Sequence, residues 1–460
     1  MTAPGPTGDP DRHPFVERPH RTLVVLSIPV MLSLIAEPVT GLVDTAFVAR
    51  LGAEPLAALG VGTVLLSSLL WVFNFLGVGT QTEVAQAAGA RDPDTAREAT
   101  GLALALSAVI GAALGLALWP VLGPLCGALG AAGDVRAGAV VYLEIRLLGA
   151  PALLAMVAAF GALRGLHDMR TPLWIAAGSN AANAALDAVL IPGLGPIPGF
   201  GIAGAAWATV IAQWAGAGFA VAAIRRRVGL PARIDWRRAG SLLVVGRDLF
   251  LRTGLLVVFV ALATRTATQL GADAGAAHQA IRQVWILTAF ALDAFAASAQ
   301  SLVGYFVGAG QVARARRVAG VAVAWGTGLG VALLLGMLLA QDAVAAALVP
   351  VAARPAFAAA WWVAAAAQPL SAVSFVTDGI HWGTRDYRYL RNAMALASTA
   401  GALLLFAGEA SGRASLAGVW WITALWIAVR AALGAVRVWP GPGRAPLSRA
   451  AAAAAAPVVR

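Results

Sequence analysis

The sequence predicts an all-α polytopic membrane protein, with about twelve transmembrane helices in two pseudo-twofold related six-helix lobes around a central cavity. Composition is the first reason: 60% of the 460 residues are hydrophobic, only 12% are charged and the mean hydropathy is +0.78. These values lie outside the usual range of soluble globular chains. The second reason is a succession of apolar runs of membrane-spanning length, and the third is a repeat that relates the two halves of the chain.

Twelve apolar runs, bounded by charged residues, Pro or Gly, account for the predicted helices. Runs of about 18 to 28 such residues are long enough to cross the hydrocarbon core of a bilayer. The predicted spans cover residues 21–49, 56–84, 98–122, 136–163, 171–192, 200–225, 243–269, 276–306, 314–340, 352–382, 390–408 and 415–437. Several exceed the length of a perpendicular helix, so tilted or extended helices are expected.

The basic residues predict the orientation in the membrane. All 33 are Arg, and the net charge is +11. One side of the membrane receives nearly all of them, whereas the loops of the other side hold little more than Arg50, Arg136, Arg354 and Arg413. The positive-inside rule then places both termini in the cytoplasm of a multi-pass protein of the plasma membrane. Because the Arg residues lie in short loops between apolar runs, nucleic acid is not an expected partner.

A polar connector between residues 225 and 247 divides the chain into two halves. The predicted domains are a disordered cytoplasmic tail (1–20), an N-lobe with helices 1–6 (21–225), a cytoplasmic linker (226–242), a C-lobe with helices 7–12 (243–437) and a low-complexity cytoplasmic tail (438–460).

A shift of 219 residues aligns Gln81 with Gln300 and Arg97 with Arg316. The aligned halves have the same orientation in the membrane, so the repeat is parallel. A binding cavity is then expected between the lobes.

The first predicted span contains two acids, Glu37 and Asp44. An acid at the centre of a spanning helix costs about 2.5 to 3.5 kcal/mol on insertion scales, so its presence points to a function. Both acids fall on one helical face, and Pro29 and Pro38 predict bends in the same helix. The alternative is that Asp44, six residues before Arg50, is a solvated helix end.

The fifth predicted span contains Asn180, Asn183 and Asp187, whose spacing puts them on one helical face. If the first and fifth helices face each other, these residues and Asp44 form a polar cluster in a medium of low dielectric constant. Carboxylates in such surroundings are expected to exchange protons near the working pH. Alternatively, the amides only tie helices together through hydrogen bonds.

The repeat provides an internal comparison for this cluster. The shift of 219 residues aligns Ala263 with Asp44. In the later part of the repeat the shift is 218 residues, as between Asp168 and Asp386, and it aligns Leu405 with Asp187, so the acids have no counterpart in the second half. A purely architectural role would tend to recur in both halves. The asymmetry therefore favours a functional role in coupling to a cation or proton.

Three further polar residues within predicted spans are candidates for lining the substrate cavity: Asn74, Asp293 and Asp378. The two acids either form ion pairs with residues of their own half or face the cavity. The sequence leaves both possibilities open.

The sequence lacks the motifs of common catalytic sites. It has no P-loop, no G-x-S-x-G elbow and no H-E-x-x-H helix, so we do not expect an enzyme. Its single cysteine excludes an intrachain disulfide, and its five His residues lack metal-ligand spacing. No cofactor is expected beyond a coupling ion, which is H⁺ or Na⁺.

Residues 36–52 (AEPVTGLVDTAFVARLG) resemble the opening of multidrug and toxic compound extrusion (MATE) transporters, in the branch named for DNA-damage-inducible protein F. The resemblance extends over roughly residues 21 to 437. Further matching motifs are Asn74-Phe75-Leu76, Arg164-Gly165-Leu166-His167-Asp168, Ala277-His278-Gln279, Leu292-Asp293-Ala294 and Asp378-Gly379-Ile380.

The resemblance implies a secondary active exporter of organic, often cationic or amphipathic compounds, driven by uptake of protons or sodium ions with alternating access between two lobes. In the archaeal members that this branch resembles, the cation site combines two acids of the N-lobe. One follows a Pro by fifteen residues, and the other follows an Asn by four. Pro29 with Asp44, and Asn183 with Asp187, reproduce both spacings.

We therefore expect a monomeric exporter whose partners are a small-molecule substrate and the lipid bilayer. The alternatives are a lipid or lipid-linked saccharide flippase of the same superfamily, or an exporter of organic anions such as citrate. Proton and sodium coupling use the same carboxylates, so the sequence does not separate them.

Overall fold

The computed structural model describes residues 10–448, which form α-helices and short 3₁₀ turns. In chain order the α-helices are α1 Pro14–Glu17, α2 Pro19–Val48, α3 Ala53–Leu70, α4 Phe75–Gly89, α5 Pro93–Leu118, α6 Leu122–Ala128, α7 Gly133–Leu147, α8 Ala150–Gly165, α9 Arg170–Leu190 and α10 Gly201–Arg227. They are followed by α11 Ala239–Gln269, α12 Ala272–Gly308, α13 Val312–Leu339, α14 Gln341–Leu348, α15 Arg354–Ala366, α16 Gln368–Gly383, α17 Tyr387–Ala410 and α18 Leu416–Val438.

Membrane-spanning helices dominate the described residues. By length and composition there are seven such helices, or up to ten when the bent pairs α3–α4, α7–α8 and α15–α16 each count as one span. The long helices α9 and α11 lie outside that set, and both carry several polar or charged residues. With them the spans number about twelve and follow the predicted order, which confirms the fold class.

Two of the bent spans owe their bends to proline. The helices α7 and α8 meet at 50°, and α15 and α16 meet at 46°. In each pair the second helix has a Pro, Pro151 or Pro369, in its first turn. A proline is compatible with the start of a helix but cannot continue the hydrogen-bond ladder of the helix before it.

The helices divide into two compact units. Within the described residues, unit 1 contains residues 32–246, and unit 2 contains residues 10–31 together with 247–448. The helix α2 therefore belongs to both, because its first part up to Met31 packs in unit 2 and its remainder packs in unit 1. Unit 1 also extends beyond the N-lobe predicted from the sequence, since Gly246 of α11 lies against the ring of Phe75 and Val245 lies near Gly79.

The predicted repeat is visible in the packing within each unit. In unit 1, Gly165 of α8 lies against the carbonyl oxygen of Gln81 in α4. A Cβ atom added at Gly165 would lie only 2.7 Å from that oxygen. In unit 2, Gly383 of α16 lies in the same way against the carbonyl oxygen of Gln300 in α12, and a Cβ atom added at Gly383 would lie 2.6 Å from it. Small residues at these places allow two helix backbones to touch, as is common in membrane proteins.

The N-terminal segment differs from the predicted disordered tail. Residues 1–9 lie outside the described part of the chain, but from Pro10 onward the segment is largely helical. Phe15 is only 1% exposed and packs on Phe306, and Asp11 forms an ion pair with Arg314 at 2.6 Å. A buried aromatic ring and an ion pair thus hold a segment whose average composition is polar.

The C-terminal segment is also held as far as it is described, to Ser448. Arg316 donates hydrogen bonds to the carbonyl oxygens of Trp439 at 2.6 Å and Leu447 at 2.7 Å. The low-complexity tail predicted over residues 438–460 therefore begins with an ordered turn, and residues 449–460 lie outside the described chain.

Candidate functional site

The structure brings together the two acids that the sequence singles out in unit 1. Asp44 lies four residues before the end of α2, and Asp187 lies three residues before the end of α9. Their carboxyl groups are within hydrogen-bonding distance of each other. Because a carboxylate only accepts hydrogen bonds, such a contact requires a proton on one of the two groups.

Three of the four oxygens of this carboxyl pair have no hydrogen-bond donor among the described residues. Asp187 is fully buried, and neither of its oxygens receives a hydrogen bond from an N–H or O–H group of the described residues. The same holds for Oδ1 of Asp44 and for Oδ1 of Asn183. Buried polar atoms are normally paired, so these four unpaired oxygens set this part of unit 1 apart from an ordinary helix contact.

The two amides of α9 have different positions. Asn183 is buried and donates to Oγ1 of Thr209 in α10 at 3.4 Å, which leaves its own oxygen directed to no donor. Asn180 donates to the carbonyl oxygen of Ala36 at 3.1 Å and so ties α9 to α2. Asn183 thus has an unpaired oxygen one turn before Asp187, whereas Asn180 holds the two helices together.

A basic residue that the sequence analysis overlooks lies near the same pair. Arg146 of α7 donates to Oε1 of Gln213 in α10 at 3.0 Å, and its Nε is buried without an acceptor. Its guanidinium group acts electrostatically on Asp44. The sequence does contain a signal for this residue, because an Arg within an apolar span is unusual. The Arg residues were considered above only as markers of topology.

The remaining candidates of the first half lie elsewhere or are not fully described. The side chain of Glu37 lies outside the described residues, although its backbone is part of α2. The helix α2 continues through Pro29 and Pro38 without interruption. Asn74 is exposed and lies in the 3₁₀ turn where the span formed by α3 and α4 bends by 40°.

Asp378, one of the two candidate acids of unit 2, lies in a buried charge network. Asp378 of α16 is paired with Arg252 of α11 and with Arg430 of α18, the latter at 2.7 Å. The guanidinium group of Arg430 lies 4.5 Å from the ring centre of Trp426, and the half-buried Asp293 acts on it electrostatically. For Asp378 the structure therefore supports the first of the two possibilities, that of ion pairs within its own half.

The place in unit 2 that corresponds to Asp44 is not acidic. Ala263 lines a small cavity of about 20 Å³, together with His278, Arg282 and Trp420. Leu405, which aligns with Asp187, is buried in an apolar cluster. The carboxyl pair is therefore confined to unit 1.

Comparison with known proteins places the chain in a family. A family model described as MatE matches residues 29–189, an interval that includes both Asp44 and Asp187. Protein DETOXIFICATION 44, chloroplastic, from Arabidopsis thaliana is 32% identical over 455 residues, which cover 94% of this chain and 85% of that protein. The chain belongs to the MATE family.

Other MATE relatives agree in sequence and in structure. DNA damage-inducible protein F from Escherichia coli (strain K12) is 28% identical over 436 residues, which cover 92% of this chain and 93% of that protein. A crystal structure of MATE in the bent conformation superimposes with a TM-score of 0.83 at 22% identity, over 90% of this chain and 94% of that chain. At this identity the superposition supports the fold.

Membership of the MATE family settles the class of function. The chain belongs to a family of multidrug and toxic compound efflux transporters, so it is a membrane transporter of small molecules and not an enzyme. The sequence predictions on these points are confirmed.

Proposed function

We propose that this MATE protein is an antiporter, which exports organic cationic or amphipathic compounds and is driven by uptake of protons or sodium ions. The observation that carries the proposal is the contact between Asp44 and Asp187, in which three of the four carboxyl oxygens have no donor among the described residues. A carboxyl pair that needs a cation to be stable inside a membrane protein is suited to bind and release one in each transport cycle.

The coupling follows from the charge of the pair. Without a bound cation, the carboxylates attract a cationic compound electrostatically. When a proton or sodium ion binds from outside, the negative charge is reduced and the attraction weakens, so the compound is released. The ion and the compound drive the change only if each binds the two access states with different affinity.

The helix α2 is the element that would link the ion site to alternating access. Asp44 lies on its unit 1 part, whereas its first part packs in unit 2. A change in the charge of Asp44 changes the free energy of packing for a helix that belongs to both units.

We place the protein in the plasma membrane as a monomer with both termini in the cytoplasm, and with no cofactor other than the coupling ion. The orientation follows from the predominance of Arg on one side of the predicted topology. The exposed Asn74, at the bend of its span, is the candidate of the first half best placed to meet a substrate.

The test is transport of a cationic dye by purified protein in proteoliposomes, with imposed proton or sodium gradients. Asp44→Asn is expected to abolish gradient-driven export while the protein remains folded in the membrane. The matched control is Asp273→Asn, which removes an exposed acid from the first turn of α12 and should transport normally. Undiminished export by Asp44→Asn would contradict the proposal.

A panel of compounds in the same assay separates the alternatives. Transport of organic anions without transport of cations would contradict the proposed substrate class and favour an exporter of organic anions. Flipping of a labelled lipid without transport of cations would favour a lipid flippase.

A further inference from the structure

A basic segment, residues 225–238, connects α10 to α11 in unit 1. It begins in the last turn of α10 and contains six Arg residues but one acid, Asp235. The carboxyl group of Asp235 lies 3.7 Å from Arg238 and caps the 3₁₀ turn that follows it. Because the segment leaves a membrane-spanning helix and enters the next one directly, it lies at the surface of the bilayer.

Contacts with α5 fix the backbone of the basic segment. Arg97 of α5 donates through its Nε to the carbonyl oxygen of Val228 at 3.1 Å. Pro231 lies so close to Gly101 of α5 that a Cβ atom added at Gly101 would overlap the proline ring. The segment therefore holds a defined position on unit 1, and its outward side chains are presented from a fixed backbone.

Only some of the Arg residues in the segment have an acidic partner. Arg227 pairs with Asp168 at 2.9 Å, and Arg238 pairs with Glu98 at 2.5 Å. The other four are exposed and form no ion pair with an acid of the described residues: Arg225, Arg226, Arg233 and Arg237. Arg residues in the last turn of a helix interact favourably with its dipole, but two of these four lie beyond the end of α10.

Large apolar side chains are exposed among these Arg residues. Leu230, Ile234 and Trp236 all face out of the protein, and Trp236 is 51% exposed. Trp side chains are enriched at the interface between membrane and water, where the ring meets apolar groups and its N–H meets polar ones. Clusters of Arg close to a spanning helix are attracted by anionic lipids. The exposed side chains of the segment thus combine both features.

The repeat provides an internal comparison for the segment. Arg316 aligns with Arg97 and likewise donates to a carbonyl oxygen at the end of the last helix of its unit, that of Val438, at 3.3 Å. The chain that follows in unit 2 turns inward, so that Leu447 is only 2% exposed. The shared anchor therefore does not require exposed apolar side chains, and their exposure in unit 1 calls for another partner.

We propose that the basic segment binds the headgroups of anionic phospholipids, with Trp236 inserted at the level of the headgroups and the four unpaired Arg residues on the phosphates. A guanidinium group donates paired hydrogen bonds to phosphate oxygens. A zwitterionic phospholipid also carries a phosphate, but the positive charge of its choline group is repelled by the Arg residues. The inference concerns the lipid around the protein and is independent of the transported compound and of the coupling ion.

The test measures which lipid touches the segment. A fluorescent dye is attached at Ala232→Cys, an exposed position of the segment, because the only native cysteine, Cys126, is buried. The labelled protein is placed in nanodiscs that contain equal amounts of phosphatidylcholine and phosphatidylglycerol. A small share of one lipid or the other carries a spin label, which quenches the dye on contact.

Spin-labelled phosphatidylglycerol should quench the dye more strongly than spin-labelled phosphatidylcholine. The ratio of the two association constants should be at least about fivefold, which is the effect of a single Arg close to an anionic headgroup. Added salt should reduce the ratio, because it screens exposed charges.

Two variants with the same loss of charge separate this segment from the rest of the surface. The test variant combines Arg225→Gln, Arg233→Gln and Arg237→Gln, and its ratio should fall to about one. The control variant removes three exposed Arg residues from other parts of the chain and should keep the ratio of the parent protein: Arg136→Gln, Arg354→Gln and Arg413→Gln.

The role of the indole is tested separately. Trp236→Ser should weaken the quenching by both lipids, whereas Trp236→Phe should preserve it. Equal quenching by the two lipids in the labelled parent protein, or an unchanged ratio in the test variant, would overturn the inference. Absence of quenching by either lipid would also overturn it, since the segment would then lie away from the bilayer and be open to a protein partner.

Discussion

Replacement of Asp378 with Asn is expected to destabilise unit 2 rather than alter the choice of substrate. Asp378 is the shared acceptor of Arg252 and Arg430, and all three side chains are less than a tenth exposed. Removing one partner of a buried ion pair costs about 3 to 5 kcal/mol, because it leaves an uncompensated charge in a medium of low dielectric constant. Here two guanidinium groups lose their acceptor together, so the upper part of that range applies.

The assay is the loss of the monodisperse peak in size-exclusion chromatography after heating in detergent. For a unit of about 200 residues, a loss of this size corresponds to a fall in the melting temperature on the order of 10 °C. The control is Asp273→Asn, whose exposed carboxyl group should contribute no more than about 0.5 kcal/mol. Replacement of Asp378, Arg252 and Arg430 together by apolar residues of similar volume should recover most of the stability.

Two results would refute this reasoning. A melting temperature of Asp378→Asn equal to that of Asp273→Asn would show that the network does not hold the helices together. Normal stability with a changed range of exported compounds would return Asp378 to the substrate cavity, which is the other possibility that the sequence leaves open.

Two further predictions concern packing. Gly161→Ala in α8 should lower the free energy of unfolding by about 1 to 3 kcal/mol, because the added methyl group would overlap the backbone carbonyl of Gly77. The control is Gly178→Ala in α9, whose methyl group would enter open space and should be neutral or stabilising. The reaction of the single, buried Cys126 with a thiol dye on heating measures the stability of both variants. Phe15→Ser should release the N-terminal segment, seen as faster cleavage there by a protease and unchanged cleavage elsewhere.

The fold was predictable because each transmembrane helix of a membrane protein requires a long apolar run in the sequence. Two helices, α9 and α11, fall outside the set that length and composition select in the structure, but the apolar runs of the sequence predict both, and the alternation of Arg between loops agrees with the resulting count. The contact of Asp44 with Asp187 was also within reach, since each acid shares a helical face with other polar residues and stands out in its apolar surroundings.

What the sequence could not provide are the partners of the charged residues. Asp378 is separated from Arg252 by 126 residues and from Arg430 by 52, and only the tertiary fold decides that these three meet. Arg146 is a similar case, because its relation to Asp44 depends on the place of Gln213 on a third helix. The ordered N-terminal segment was missed because average composition hides one well-placed aromatic ring.

The two units share the backbone contacts of Gly165 with Gln81 and of Gly383 with Gln300, but only unit 1 has the carboxyl pair, and α2 has a feature that suits the role proposed for that pair. Its prolines, Pro29 and Pro38, cannot donate to the carbonyl groups four residues earlier, so bending near them breaks fewer hydrogen bonds than in an ordinary helix. Pro29 lies two residues before the point at which α2 passes from unit 2 to unit 1, and Asp44 lies beyond it. Under the proposed antiport, a proton that binds at Asp44 would therefore change the charge on one side of the place where the helix bends most easily.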